Sequence, residues 1–434
     1  MDLSTTGEHV ARFSAYLAEL ASVVGSANRA GPMRDYCTGL LLPAERKSVE
    51  PMAAMTAPGR TAAQHQSLLH FVGQSNWSDD KVLSKVRDIV LPEIEKHGPI
   101  SAWIIDDTGF PKKGRHSVGV SRQYCGQLGK PDNCQVAVSL SIASEHASLP
   151  VAYRLYLPKV WTDDAERREK VGVPGDVIFK TKPEIALDQL KWACNAGLPR
   201  GIVLIDAGYG VNTDFRIEIT ALGLRYAVGV SPNATVWTPG RAALPPKQPK
   251  GRGRPAVRPQ RDETHQPVSL IALALKLPPN SWQTITWREG TNTPLGSRFA
   301  RVRIRAAHDL QTPTDQIPEE WLVIEWPDDE DEPTRYWFST LDETISFTEL
   351  VGSIKLRWRI ERDYLELKQE VGLGHFEGRG WRGFHHHATL CIAAYGFLVL
   401  EKAAFSPSET SRRLFVARPP ISRDYRPRGA AVAY

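Results

Sequence analysis

The sequence predicts a mixed α/β protein preceded by an all-helical stretch, and three observations predict it. First, residues 1–97 repeat apolar side chains at helical spacing: Phe13, Tyr16, Leu17, Leu20 and Val24, then Val82, Leu83, Val86, Ile89, Val90 and Ile94. Second, from residue 101 the pattern shortens to brief apolar runs, SAWIID, NCQVAVSLSIAS, LPVAYRLYL, GIVLID and RYAVGV, divided by Gly, Pro and Asn. Third, helical segments separate the later runs. KPEIALDQLKWACNAG has Pro183 at its first turn and Gly197 at its end, and TDFRIEITALG stops at Gly223.

The order is therefore three strands, helix, strand, helix, strand. A right-handed crossover would set GIVLID parallel to SAWIID, while the early strands, close in sequence, pair antiparallel. That arrangement is ribonuclease-H-like. Strand-like runs return over 267–340, where WLVIEW and RYWFST flank the acidic DDEDE turn, and a long helical stretch follows near 344–371. The expected organisation is a helical DNA-binding or dimerisation domain at 1–97 and a first part of the core at 98–238. A flexible basic loop at 239–266 and a β-rich insertion at 267–340 come next. The catalytic helix and a C-terminal helix of the core at 341–405 and a basic tail at 406–434 complete it.

A chain of 434 residues with 41% hydrophobic content exceeds one ordinary domain and can bury a large core. The formal charge is only +5, from 54 Lys and Arg against 49 Asp and Glu, so what matters is its distribution. From Arg241 to Arg261 there are seven basic residues and no acid, and from Arg412 to Arg428 six arginines and one aspartate. The five cysteines lie far apart without CxxC spacing, which predicts reduced thiols and a cytoplasmic compartment. No basic start precedes an apolar run and no stretch approaches the ~18 apolar residues of a membrane helix, so no membrane partner is expected.

Asp106 and Asp206 each end an apolar strand, where a carboxylate is well placed at a cleft but costly if buried alone. Two such acids on neighbouring strands suit hard divalent cations, which take oxygen ligands and retain places for water and phosphate. The third candidate is Glu361, which the register Phe347, Leu350, Ile354, Trp358 reaches by steps of three and four before Leu365. Arg357 and Lys368 fall on roughly the same helix face. Paired metals with Arg and Lys nearby are the apparatus of phosphodiester cleavage. Singly, each acid reads as a turn cap or a solvated ion pair. Three acids in order on strand, strand and helix, 100 and 155 residues apart, point to function instead. Asp107 is the alternative first ligand, because neighbouring strand residues face opposite ways. A sugar hydrolase also needs two acids, but leaves the third acid and the cations unexplained.

WIIDDTGFPKKG, GVSRQYCGQLGKPDNCQVAVSL, VLIDAGYG and RWRIERDYLELKQEVGLGHFEGRGW resemble the DDE endonuclease domain of insertion-sequence transposases, and YCTGLLLPAERKSVEPMA is similar to their helical N-terminal region. The likeness runs from about residue 10 to 400 and is nearest to the insertion sequence 701 group. It implies Asp106, Asp206 and Glu361 as the metal-binding catalytic triad, with Mg²⁺ or alternatively Mn²⁺, and Arg357 and Lys368 as the Arg and Lys of a Tyr-Arg-Glu-Lys signature. It further implies cut-and-paste transposition on double-stranded DNA, comprising terminal inverted repeats and a target, by a homodimer in the bacterial nucleoid. The tyrosine three residues before Arg357 is replaced by Ile354, which places a hairpin-forming cleavage route in doubt. A transposase-derived DNA-binding protein or repressor that no longer cuts is the alternative.

PKGRGRP, residues 249–255, resembles an AT-hook core, which would put Lys250, Arg252 and Arg254 on DNA; an ordinary flexible linker is the competing reading. The run His385–His387 does not predict a zinc site, because consecutive helical side chains diverge by about 100°. Cys125 and Cys134 read as small buried hydrophobes. Trp282, Trp287, Trp321, Trp326 and Trp337 read as core, with one exposed ring as a candidate to stack on a flipped base.

Overall fold

A computed structural model of the chain describes residues 3–241, 244, 265–288, 295–307 and 318–405. Lys250, Arg252, Arg254 and the tail from 406 lie outside the described residues. Five helices come first: α1 (Leu3–Ala21), α2 (Ala27–Leu41), α3 (Val49–Thr56), α4 (Thr61–Gly73) and α5 (Asp79–Lys96). Four strands follow, β1 (Ala102–Pro111), β2 (Ser121–Cys125), β3 (Lys130–Ala143) and β4 (Ser148–Leu155), then α6 (Lys159–Thr162), α7 (Ala165–Lys170) and α8 (Lys182–Asn195). The chain continues through β5 (Ile202–Ile205), α9 (Ala207–Gly210), α10 (Thr213–Ala221), β6 (Tyr226–Val230), β7 (Thr235–Trp237), β8 (Val268–Ser269) and α11 (Leu270–Ala274). The remainder comprises β9 (Gln283–Arg288), β10 (Leu295–Ala306), β11 (Glu320–Trp326), β12 (Arg335–Ser339), α12 (Phe347–Lys355), α13 (Trp358–Gln369) and α14 (Trp381–Ala404). No described helix is long and apolar enough to cross a membrane.

Local chemistry accounts for the element ends. Helix α8 starts on a capping box, with the Thr181 hydroxyl accepting from the Glu184 amide and the Glu184 carboxylate accepting from the Thr181 amide. Gly197 and Gly223 take positive φ, +67° and +69°, where the expected helices stop.

The strands form one twelve-stranded mixed sheet. β1 is antiparallel to β3, β3 to β4, and β5 is parallel to both β1 and β6, as the order of runs predicts. The strands after residue 267 extend this same sheet, because β12 pairs antiparallel with β6 and carries β11 and β10 outward. Alternation along β1 divides the core. Trp103 and Ile105 join a large cluster that includes α1, α2, α5, α8 and α14, whereas Ala102 and Ile104 join Leu204, Leu350, Ile354, Ile360 and Tyr364 beneath α12 and α13.

The expected long helix near 344–371 is two helices. Around Leu356 and Arg357 the bonds tighten to i→i−3, from Arg357 to Ile354, Arg359 to Leu356 and Ile360 to Arg357. Such a 3₁₀ turn advances about 20° per residue beyond an α-helix, so the apolar register changes face. Phe347, Leu350 and Ile354 are buried as expected, but the inward positions beyond the junction are Ile360, Asp363, Tyr364 and Leu367. Glu361 and Leu365 are exposed, correcting the stripe that was extended through them.

Candidate active site

The first two acids stand side by side. Register pairs Ala102 with Ile202, Trp103 with Val203 and Ile104 with Leu204, and Asp106 and Asp206 each stand two residues beyond the last pair, within electrostatic reach of one another. Both continue the face of Ile104 and Leu204 that looks toward α12 and α13. Asp206 also caps α9, its Oδ1 accepting from the Gly208 amide at 3.0 Å. Asp107 turns to the opposite face, where its Oδ2 accepts from the Lys182 ammonium at 2.8 Å and the Tyr209 hydroxyl at 3.0 Å. The strand's alternation thus gives the two neighbours opposite faces and different partners.

Helix α13 lies over this edge. The Arg357 guanidinium donates to Asp106 Oδ2 at 2.8 Å and lies 3.5 Å from Glu361 one turn on. The Tyr364 hydroxyl sits 2.8 Å from that of Ser139 and donates to the Asp106 carbonyl at 3.2 Å. The Lys368 ammonium donates to the Gly109 carbonyl at 2.9 Å. Arg357, Tyr364 and Lys368 therefore step along β1 at intervals of seven and four residues, one face of the helix. Ile354, where the signature has tyrosine, is buried in the apolar cluster and presents no hydroxyl.

Electrostatics follow from this crowding. Burial pushes the Asp106 carboxyl up to about 7, opposed by Arg357 and reinforced by the neighbouring Asp206 and Asp107. Burial works against the Arg357 charge, yet Asp106, Asp206 and Glu361 together hold it above its ordinary value. Burial draws Lys368 down to about 8. One guanidinium is thus in electrostatic contact with all three candidate acids.

Glu361 is 70% exposed, and among the described residues no three His, Cys, Asp or Glu side chains converge as a metal-holding group. Asp106 and Asp206 nevertheless fit a hard divalent cation: they are oxygen donors of like charge at a partly buried edge, with a protein cation already drawn to them. Sequence reasoning missed Tyr364, although its spacing from Arg357 was a usable signal. It also missed Lys182 and Tyr209, which no local pattern connects to Asp107.

Other singled-out residues have structural surroundings. His385 pairs with the Trp381 carbonyl and the Leu155 amide, His386 with the Val72 and Trp77 carbonyls, and His387 with the Tyr36 hydroxyl and the Gly372 carbonyl. Cys125 and Cys134 are buried together with Val136.

Over 169 residues the chain is 34% identical to a protein of Microchaete diplosiphon described as a probable transposase for insertion sequence element IS701. The alignment covers 39% of this chain and 41% of that protein, less than half of either. Residues 19–294, more than half of the sequence, match the family described as DDE superfamily endonuclease, and the chain belongs to that family.

Proposed function

We propose that this protein is a transposase that binds the ends of a bacterial insertion sequence and carries out metal-dependent DNA cleavage and strand transfer. The observation that carries the reading is the pair Asp106 on β1 and Asp206 just beyond the parallel strand β5, beside α13 with Arg357, Glu361 and Lys368. The sheet order β4-β3-β1-β5-β6, antiparallel then parallel, supports a ribonuclease-H-like core.

In this reading Asp106, Asp206 and Glu361 hold Mg²⁺ or Mn²⁺, which when bound supplies an activated water or 3′-hydroxyl and stabilises the leaving oxygen. Asp106 and Asp206 give fixed oxygens, since strand pairing and the Gly208 amide set their positions. Glu361, exposed and 3.5 Å from Arg357, would have to turn inward to join them, and Arg357, once off Asp106, is placed to take a DNA phosphate. Lys368 holds the phosphate backbone further along the same face. Lys250, Arg252 and Arg254 belong to the DNA-contacting loop, residues 1–97 to end recognition or pairing, and the active species is a homodimer on paired ends in the bacterial nucleoid. The likeness to a protein described as a probable transposase supports the substrate assignment.

The test is cleavage of supercoiled plasmid carrying the element's own ends, with native protein, Asp206→Ala and Glu361→Ala at equal DNA occupancy. Cutting by the native protein alone sustains the assignment. If all three bind and none cuts in Mg²⁺ or Mn²⁺, a DNA-binding protein that has lost catalysis is the better description.

A further inference from the structure

We propose that the β2–β3 hairpin, through Tyr124 and Leu128, presses into the DNA beside the cut and holds an unstacked base there. The inference rests on the reading that DNA is held at Asp106 and Asp206.

The segment is shaped for an anion with apolar interior. From Thr108 to Pro131 there are five Lys and Arg residues, Lys112, Lys113, Arg115, Arg122 and Lys130, and no acid; Asp132, the next residue, lies 3.6 Å from Lys130 and leaves four of the five cations in excess. Strand alternation sends Arg122 and Tyr124 outward together, while Cys125 is buried. The turn is tight: the Leu128 and Gly129 amides both donate to the Cys125 carbonyl at 2.9 Å, and Gly129 takes φ +64°. Tyr124 is 59% and Leu128 41% exposed. Two large side chains with exposed apolar faces on the turn of a basic segment suit a partner that offers base faces between phosphates.

Position ties the tip to the chemistry. The Lys368 ammonium joins the Gly109 carbonyl at 2.9 Å to the Gln127 side chain in the turn at 3.3 Å. Gly109 lies three residues beyond Asp106 on β1, about 10 Å at strand rise. At about 3.4 Å per nucleotide along one strand, the tip meets DNA about three steps from a phosphate held at Asp106.

The tryptophans of the β-rich stretch do not compete for this role. Trp287 and Trp337 flank the Lys355 ammonium, Trp282 packs edge-on to Trp326, and Trp321 donates to the Asp342 carbonyl beneath Arg301 and Arg303. Tyr124 has no ring or cation contact among the described residues.

The experiment places 2-aminopurine singly at each of six positions on either side of the cut in an end duplex. Ca²⁺ replaces Mg²⁺ to allow binding without cleavage, and occupancy is matched by anisotropy. The expected result is an at least twofold fluorescence change confined to about three steps from the cut, kept by Tyr124→Phe and lost in Tyr124→Ala and Leu128→Ala. No change at any position, or a change that survives both alanine variants, overturns the inference. Plasmid nicking by the native protein, run alongside, separates that failure from failure of the transposase reading. A hairpin used instead for contact between two copies of the chain would shift dimerisation in the alanine variants without a fluorescence change, which also overturns it.

Discussion

Two ion pairs stand two residues apart at the junction of α12 and α13, and they are built for opposite purposes. The Lys355 ammonium donates to both oxygens of Glu325, at 2.7 and 2.6 Å, with the rings of Trp287, Phe299 and Trp337 around it. Lys355 is 10% and Glu325 5% exposed. The Arg357 guanidinium makes a single short contact with Asp106, shares itself with an exposed Glu361, and faces Asp206 across the strand edge. The first pair is closed, with its cation enclosed by aromatic faces that favour it. The second is less enclosed, at 22% exposed for Arg357 and 14% for Asp106, and its cation rests among three carboxylates rather than one. A closed pair fixes where the junction sits; an open pair leaves a charge that can be exchanged.

The largest effect that tests this contrast is catalytic. Asp206→Ala and Glu361→Ala should each reduce end cleavage by about 10³-fold or more while DNA binding persists, because a carboxylate proposed to hold the metal ion is removed. Asp206→Ala should also lower stability by about 1 kcal/mol through the lost cap on α9. Retained cleavage in either variant would remove the open pair's proposed purpose.

Next in size is the closed pair. Lys355→Met should cost about 3–5 kcal/mol in denaturant unfolding, since Glu325 is left buried without its main cation. Adding Glu325→Leu should restore most of the loss. A single-variant cost below about 1 kcal/mol would mean that the cage does not lock the junction.

A third carboxylate sharpens the comparison because, among the described residues, no Lys or Arg is paired with it directly and Arg382 acts on it only at longer range. Asp79 accepts from the Thr389 hydroxyl at 2.8 Å and lies 3.8 Å from the His386 imidazole. Burial raises the Asp79 carboxyl to about 7, against the opposing Thr389 hydroxyl and the more distant Arg382, and burial also lowers the neighbouring His386. A folded value above the unfolded one means that the native state holds the proton more tightly. Stability should therefore fall as pH rises from about 4 to about 7. Asp79→Asn should escape that loss, gaining about 2 kcal/mol relative to the native protein between pH 5 and pH 8 in thermal melts. A gap that stays constant with pH would show that Asp79 ionises without cost.

The smallest effect belongs to Arg357. Arg357→Ala should cost about 1–2 kcal/mol in stability, since Asp106 loses its cation at a mostly buried position yet can take up a proton in its place. The same variant should tighten Mn²⁺ binding several-fold without DNA, measured by calorimetry, because the competing guanidinium is gone. Weaker Mn²⁺ binding would instead make Arg357 an organiser of the acids.

Much of the fold was legible because short-range patterns specify it. The apolar runs, the Pro183 start and the Gly197 and Gly223 stops each reflect interactions within a few residues, and the strand order follows from crossover geometry. Asp106 and Asp206 were visible as charges ending apolar strands. Glu361 was found through a register that the chain does not keep: the 3₁₀ turn near Arg357 rotates it outward and brings Asp363 and Tyr364 inward. No periodicity argument detects a helix that changes pitch in its middle.

By itself the sequence determined the alternation that separates Asp106 from Asp107, the order of strands and helices, and the acid-free basic run carrying Tyr124. Only the tertiary structure decided which face each aspartate occupies, that Arg357 reaches Asp106 from 251 positions away, and that Lys182 and Tyr209 claim Asp107. The physical reason is range. Backbone geometry and capping act between near neighbours and leave a repeating mark in the chain, whereas a buried charge takes its partner from whichever element packing brings within about 3 Å.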